Sequence, residues 1–113
     1  MKRDVALVLG DILRAIASIE SFVKGMALEQ FSADDKTSSA VARKLEIVGE
    51  AAKQIPTEVR LQISLPWKEM AGLRDKLTHS YFGIDFQLVW DVVKKKLPEV
   101  RKKIADFLAK GEQ

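Results

Sequence analysis

The chain has 113 residues, of which 47% are hydrophobic and 31% charged. This composition excludes a disordered or fibrous protein and sets the expectation of one globular domain over residues 1–113. There is no cysteine, which excludes a disulfide framework, a thiolate metal site and a cysteine nucleophile. The formal net charge is +3, unevenly spread: residues 1–50 carry seven basic and eight acidic side chains, residues 51–113 twelve and eight.

The opening residues, MKRDVALVLGDILRAIASIESF, combine a basic start with apolar positions. Asp4, Asp11, Arg14 and Glu20 interrupt the apolar run. Neither a signal core nor a membrane span fits, and a cytoplasmic protein is expected. Val5, Val8, Ile12, Ile16, Ile19, Val23 and Met26 instead step by three and four, which predicts one amphipathic helix over roughly residues 3–28. Phe31 and SADD interrupt it, and the small polar residues suit the cap of a second helix over about 34–54. Val41, Leu45, Val48, Ala52 and Ile55 form its stripe, and Pro56 ends it. Gly49, beside Ala51 and Ala52, marks a low-volume spot where another helix is expected to come close; elsewhere in a helix a glycine costs about 1 kcal/mol.

Residues 57–65 read as a short helix or turn. Pro66 and Trp67 suit the start of a third helix, because proline loses nothing in a first turn. Met70, Leu73 and Leu77 give its buried side, and Gly83 suits its end. A last stripe runs through Phe86, Trp90, Val93, Leu97, Val100, Ile104 and Phe107. Pro98 falls inside it, so a kink or break is expected near Lys96, with both pieces on one core. No segment alternates like a strand. The expected architecture is all-α: an antiparallel bundle of four long helices plus a short one.

Two features carry chemistry. Lys94, Lys95, Lys96, Arg101, Lys102 and Lys103 concentrate positive charge, which either holds RNA phosphates or is a solvated helix face. LRDKLTHSYF, residues 73–82, holds the only histidine and the only tyrosine. At 100° per residue, Arg74, Thr78 and Tyr81 share one stripe of the third helix, and Asp75 stands one turn from His79, where a carboxylate orients or charges an imidazole. Arg74 and His79 lie about 140° apart on an ideal helix. Two copies facing across a two-fold axis bring both residues to one target, and so does an unwound last turn. The chemistry that fits is phosphodiester cleavage in RNA. Arg74 holds the phosphate and stabilises charge growing on its oxygens, His79 moves a proton, and the neighbouring 2′-hydroxyl is the nucleophile. Such a reaction requires no cofactor and no metal. By spacing alone, the same residues are also an ordinary charged helix surface.

RKLEIVGEAAKQIP (43–56) and LPWKEMAGLRDKLTHSYFGIDFQLVWDVVKKKLPEVRKKI (65–104) resemble the HepT family of HEPN-domain proteins. The family hallmark is Arg, four residues, His, one residue, Tyr; it reads here Arg74-DKLT-His79-Ser80-Tyr81. GEAAK, PW, GLR and VW also match. Ser80 departs from the glycine that the family often carries. The resemblance implies an all-helical ribonuclease toxin that acts as a homodimer. It implies pairing with a nucleotidyltransferase antitoxin of the MntA type, which neutralises the toxin by adding AMP to the motif tyrosine, here Tyr81. It places the catalytic residues at Arg74 and His79; Asp75 and Thr78, picked out by helix spacing, are expected as supporting polar groups. A non-catalytic helical partner that presents RNA or a nucleotide to a nucleotidyltransferase is the alternative.

Overall fold

The structure, a computed structural model, describes residues 4–78 and 83–111. These residues form helices joined by short turns: α1 (Asp4–Phe22), α2 (Leu28–Ala33), α3 (Asp35–Lys53), α4 (Thr57–Arg60), α5 (Trp67–Thr78), α6 (Phe86–Asp91) and α7 (Leu97–Gly111). A π-helical turn, Val92–Lys96, joins α6 to α7 without a break. The described residues are all-α, and the four long elements are α1, α3, α5 and the continuous α6–α7. α3 lies at the centre, packed against α1 on one side and α5 on the other.

The expected stripes become the core. Ile12, Ile16 and Ile19 of α1 meet Val41, Leu45 and Ala52 of α3 in a cluster closed by Val89, Val93, Val100 and Ile104. Leu9 is fully buried whereas Val8 is only partly so, so the apolar face of α1 is centred slightly away from the expected line. The first helix is also shorter than its stripe. It ends at Phe22, and Gly25 turns the chain with φ 79°, a left-handed conformation that glycine adopts at no steric cost. Val23 remains buried beyond the helix end.

The segment expected to be an interruption is a helix of its own. The Gln30 side chain accepts from the Ala27 N–H at 2.7 Å and starts α2. Phe31 is fully buried, edge-on to Phe86 (ring centroids 6.2 Å apart) and tilted against Trp90 (5.1 Å). Aromatic pairs in these geometries add to the area they bury, and this contact ties α2 to α6. Asp34 then caps α3, accepting from the Thr37 N–H at 3.0 Å and the Thr37 hydroxyl at 2.8 Å. These two bonds hold its carboxyl below the ordinary carboxylate value.

Arg60 fixes the far end of α3. Its Nε donates to the Ile55 carbonyl and its Nη2 to the Ala52 carbonyl, both at 2.9 Å. Carbonyls at the helix end thereby gain a side-chain donor, and α4 is bound to α3. The Trp67 indole donates to the Ile63 carbonyl at 3.0 Å inside the core and sets the start of α5. At Pro98 the helix widens rather than breaks. The Leu97 N–H reaches back five residues to the Val92 carbonyl, and the next residue, Pro98, has no N–H to donate. The wider turn absorbs the misfit, and Val93, Leu97 and Val100 keep facing the core.

Candidate functional site

α3 and α5 run antiparallel, so the chain rises along one as it descends the other. Three polar rungs cross their seam. The Thr78 hydroxyl donates to Glu46 Oε2 at 2.9 Å. Arg74 Nε meets Glu50 Oε1 at 3.1 Å. Lys53 Nζ donates to Asp75 Oδ1 at 2.9 Å.

Gly49 makes the approach close enough for these rungs. A Cβ at this position would stand 2.3 Å from Arg74 Cβ, 2.9 Å from the Met70 carbonyl oxygen and 3.1 Å from Arg74 Cα. The α5 backbone therefore rests directly on that glycine, as its low volume led one to expect. The contact delivers Arg74 to a fixed place beside α3. Its side chain leaves the seam and remains about one-third exposed, while Glu50 engages the inner nitrogen.

Asp75 binds two cations with one oxygen. Oδ1 accepts from Lys53 Nζ and also from Arg74 Nη1 at 3.1 Å. The Lys53 bond first and the Arg74 bond second pull this carboxyl below its ordinary value of 3.8. Asp75 is thus ionised across the neutral range and holds the two cations together. The third acid of the seam, Glu46, has Arg43 Nη1 4.0 Å away, so the charges of the cluster balance.

Arg74, Asp75 and Thr78 are brought to one seam. Arg74 and Thr78 share the stripe expected of them, and each meets a glutamate of α3. Asp75 is engaged by Lys53 and Arg74. His79 and Tyr81, and Ser80 between them, lie outside the described residues. Helical periodicity within the motif did not reveal Glu46, Glu50 and Lys53, because their roles arise between helices. A signal was nevertheless present: the three stand at i, i+4 and i+7 on α3, the spacing of Arg74, Thr78 and Tyr81 on the third helix, with Gly49 beside them.

The six cations of the basic segment each have neighbours of their own. Lys94 lies over the Trp90 ring, 5.2 Å from its centroid. Lys95 pairs with Asp91 (3.7 Å) and Lys102 with Asp106 (3.0 Å). Arg101 reaches Glu20 of α1 at 3.1 Å. Lys103 meets Glu99 at 3.4 Å and donates to the Ser64 carbonyl at 2.7 Å. Lys96 stands on a cavity of about 350 Å³ lined by Met70, Leu73, Lys76 and Val92. Among the described residues, no three histidine, aspartate or glutamate side chains group to hold a metal ion, and no helix is long and apolar enough to cross a membrane.

Residues 12–107 match the family model described as Ribonuclease HepT-like. The chain is 47% identical over 104 residues to "Probable ribonuclease HepT" of Thermococcus cleftensis, covering 91% of this chain and 94% of that protein. It is 43% identical over 108 residues to a protein of Methanocaldococcus jannaschii named as an RNase, covering 95% and 89%. A relative from Caldanaerobacter subterraneus subsp. tengcongensis, also named as an RNase, is 42% identical over 103 residues, covering 90% and 92%. No solved structure matches the chain at a significant level.

Proposed function

This chain belongs to the HepT-like ribonuclease family, and on that premise we propose that it is a metal-independent endoribonuclease toxin of a toxin–antitoxin pair. The observation that carries the reading is the placement of Arg74. An arginine on a helix seam, anchored through its inner nitrogen by Glu50 and with its side chain one-third exposed, suits a phosphate-binding group. Arginine's planar fork matches two phosphate oxygens at once.

The reaction follows from the substrate's own chemistry. His79 takes the proton of the 2′-hydroxyl, whose oxygen attacks the adjacent phosphorus. The bond to the 5′-oxygen breaks, and that oxygen leaves with a proton. Negative charge builds on the nonbridging oxygens, where the guanidinium of Arg74 stabilises it. One product ends in a 2′,3′-cyclic phosphate and the other in a 5′-hydroxyl. Asp75 and Thr78 support this centre by fixing the helix that carries it.

Regulation uses Tyr81. A nucleotidyltransferase antitoxin of the MntA type joins the α-phosphate of ATP to the phenol oxygen, and pyrophosphate leaves. The AMP so attached is bulky and negatively charged, one heptad from Arg74 in sequence. It competes with the RNA backbone for the same guanidinium. The working unit is a cytoplasmic homodimer of HEPN-like domains spanning residues 1–113, with the motif helices facing across a cleft.

Digestion of RNA by the wild type, Arg74→Ala and His79→Ala tests the reading. Loss of the general base lowers the rate by roughly 10²–10⁴-fold, and loss of the oxyanion-stabilising guanidinium by roughly 10²–10³-fold. Wild-type rates in both variants would refute it. For Tyr81, co-expression with the nucleotidyltransferase and ATP should add AMP mass to a peptide containing this residue, and Tyr81→Phe should remain active and escape modification. Modification mapped elsewhere refutes that assignment.

A further inference from the structure

We propose that Lys53 of α3 is a second phosphate-binding residue of the RNA site, and that Asp75 occupies the phosphate's place between Lys53 and Arg74 while RNA is absent. The proposal rests on the reading of Arg74 as a phosphate ligand. It goes beyond the motif, because Lys53 lies 21 residues upstream on another helix.

The geometry turns on a single oxygen. Asp75 Oδ1 accepts from Lys53 Nζ at 2.9 Å and from Arg74 Nη1 at 3.1 Å. The two donor nitrogens are therefore at most about 6 Å apart, within reach of one tetrahedral anion. A phosphodiester presents two nonbridging oxygens and one negative charge. It takes one charge-assisted bond from each cation where the carboxylate now takes both. Arg74 is held independently of Asp75, and the Lys53 ammonium is held by Asp75. Arg74 is anchored by Glu50 at 3.1 Å. Lys53 closes α3 at a helix end whose neighbouring carbonyls are bound by Arg60. The guanidinium thus stays in place when the carboxylate yields, and the Lys53 side chain, rooted at the fixed helix end, is freed to meet an incoming anion.

Exposure allows the exchange. The side chains of Lys53, Asp75 and Arg74 are 37%, 54% and 34% exposed, so the bridge opens to solvent without unpacking the core. The depressed carboxyl of Asp75 agrees with a site built to hold an anion.

The test measures binding to two uncleavable or bulk probes, a mixed-sequence 2′-O-methyl oligonucleotide and total tRNA, over a range of salt at pH 7. Lys53→Gln should weaken binding roughly tenfold and reduce the salt slope by about 0.7, the value for one lost contact on a single strand. Lys53→Arg should restore both. Asp75→Asn should tighten binding, because it removes the competing charge. Thermal unfolding of the three variants monitors the fold; an exposed ion pair contributes little to it.

Unchanged affinity and slope in Lys53→Gln, with Arg74→Gln weakened, would overturn the role of Lys53 and leave Arg74 intact. Weaker or unchanged binding by Asp75→Asn would overturn the placeholder role. Unchanged binding by Arg74→Gln, or a wild type that binds neither probe, would overturn the underlying reading of Arg74 as well.

Discussion

Replacing Gly49 by alanine tests the seam that positions Arg74. The added Cβ would meet Arg74 Cβ at 2.3 Å, against a comfortable carbon–carbon separation of about 3.5–4.0 Å. It would also meet the Met70 carbonyl oxygen at 2.9 Å and Arg74 Cα at 3.1 Å. Both are backbone atoms, so no side-chain rotation relieves the clash and α5 must shift by ~1 Å. Overpacking of this kind costs roughly 1–3 kcal/mol. Alanine's better helix propensity returns about 1 kcal/mol. With backbone on the receiving side the upper end applies, leaving a net loss of about 2 kcal/mol, or roughly 8 °C in Tm for a chain of this size. The same shift stretches the 3.1 Å contact between Arg74 and Glu50 beyond hydrogen-bond range. Misplacement by ~1 Å costs on the order of 10²-fold in rate. Gly72→Ala is the matched control in α5, because a Cβ there meets nothing within 4 Å and should stabilise by up to ~1 kcal/mol. Thermal melting and RNA cleavage rates of both variants give the answer. A Gly49→Ala protein that melts higher than the wild type and cleaves RNA at full rate would refute the close-contact argument.

Phe31→Ala removes a fully buried ring packed on Phe86 and Trp90, and chemical denaturation should show a loss of roughly 3–5 kcal/mol; a loss below 1 kcal/mol would mean that α2 is not part of the core. The carboxyl of Asp75 titrates below 3.8 in the folded protein, so its contribution is complete above the unfolded value and is lost as pH falls from there through the folded value. Carbon-detected NMR titration should find that low midpoint in the wild type and a rise towards 3.8 in Lys53→Gln, whereas an unmoved midpoint would show that the lysine bond is not its main cause.

Much of this molecule was legible because helices bury stripes. The steps of three and four through Val41, Leu45, Val48, Ala52 and Ile55 placed α3 and its buried face, and all five are buried. Gly49 announced a close neighbour, because a mid-helix glycine needs a packing reason. Short elements left less trace. α2 spans six residues, too few for periodicity to declare itself, and its single anchor, Phe31, looked like the end of one helix rather than the centre of another. The response to Pro98 was legible as a disturbance but not in kind: the sequence shows the missing N–H, while the turn that accommodates it, π-helical over Val92–Lys96, depends on the backbone around it. The candidate site divided in the same way. Arg74 and Thr78 could be grouped from spacing within one helix, whereas Asp75 was expected beside His79, which lies outside the described residues. Their partners Glu46, Glu50 and Lys53 could not be assigned, since the pairing depends on the register between α3 and α5. The neighbours of the basic segment, such as Glu20 for Arg101 and the Ser64 carbonyl for Lys103, were likewise not legible, because they lie on other parts of the chain.

The most direct measurement is the chemistry of the RNA ends left by the wild type in excess EDTA, run beside His79→Ala. The account predicts cleavage by the wild type that persists under chelation, with 2′,3′-cyclic phosphate or 3′-phosphate on one fragment and 5′-hydroxyl on the other, and no such fragments from His79→Ala. Cleavage that requires a divalent metal, or that leaves 5′-phosphate and 3′-hydroxyl ends, would contradict attack by the 2′-hydroxyl at an Arg74–His79 centre.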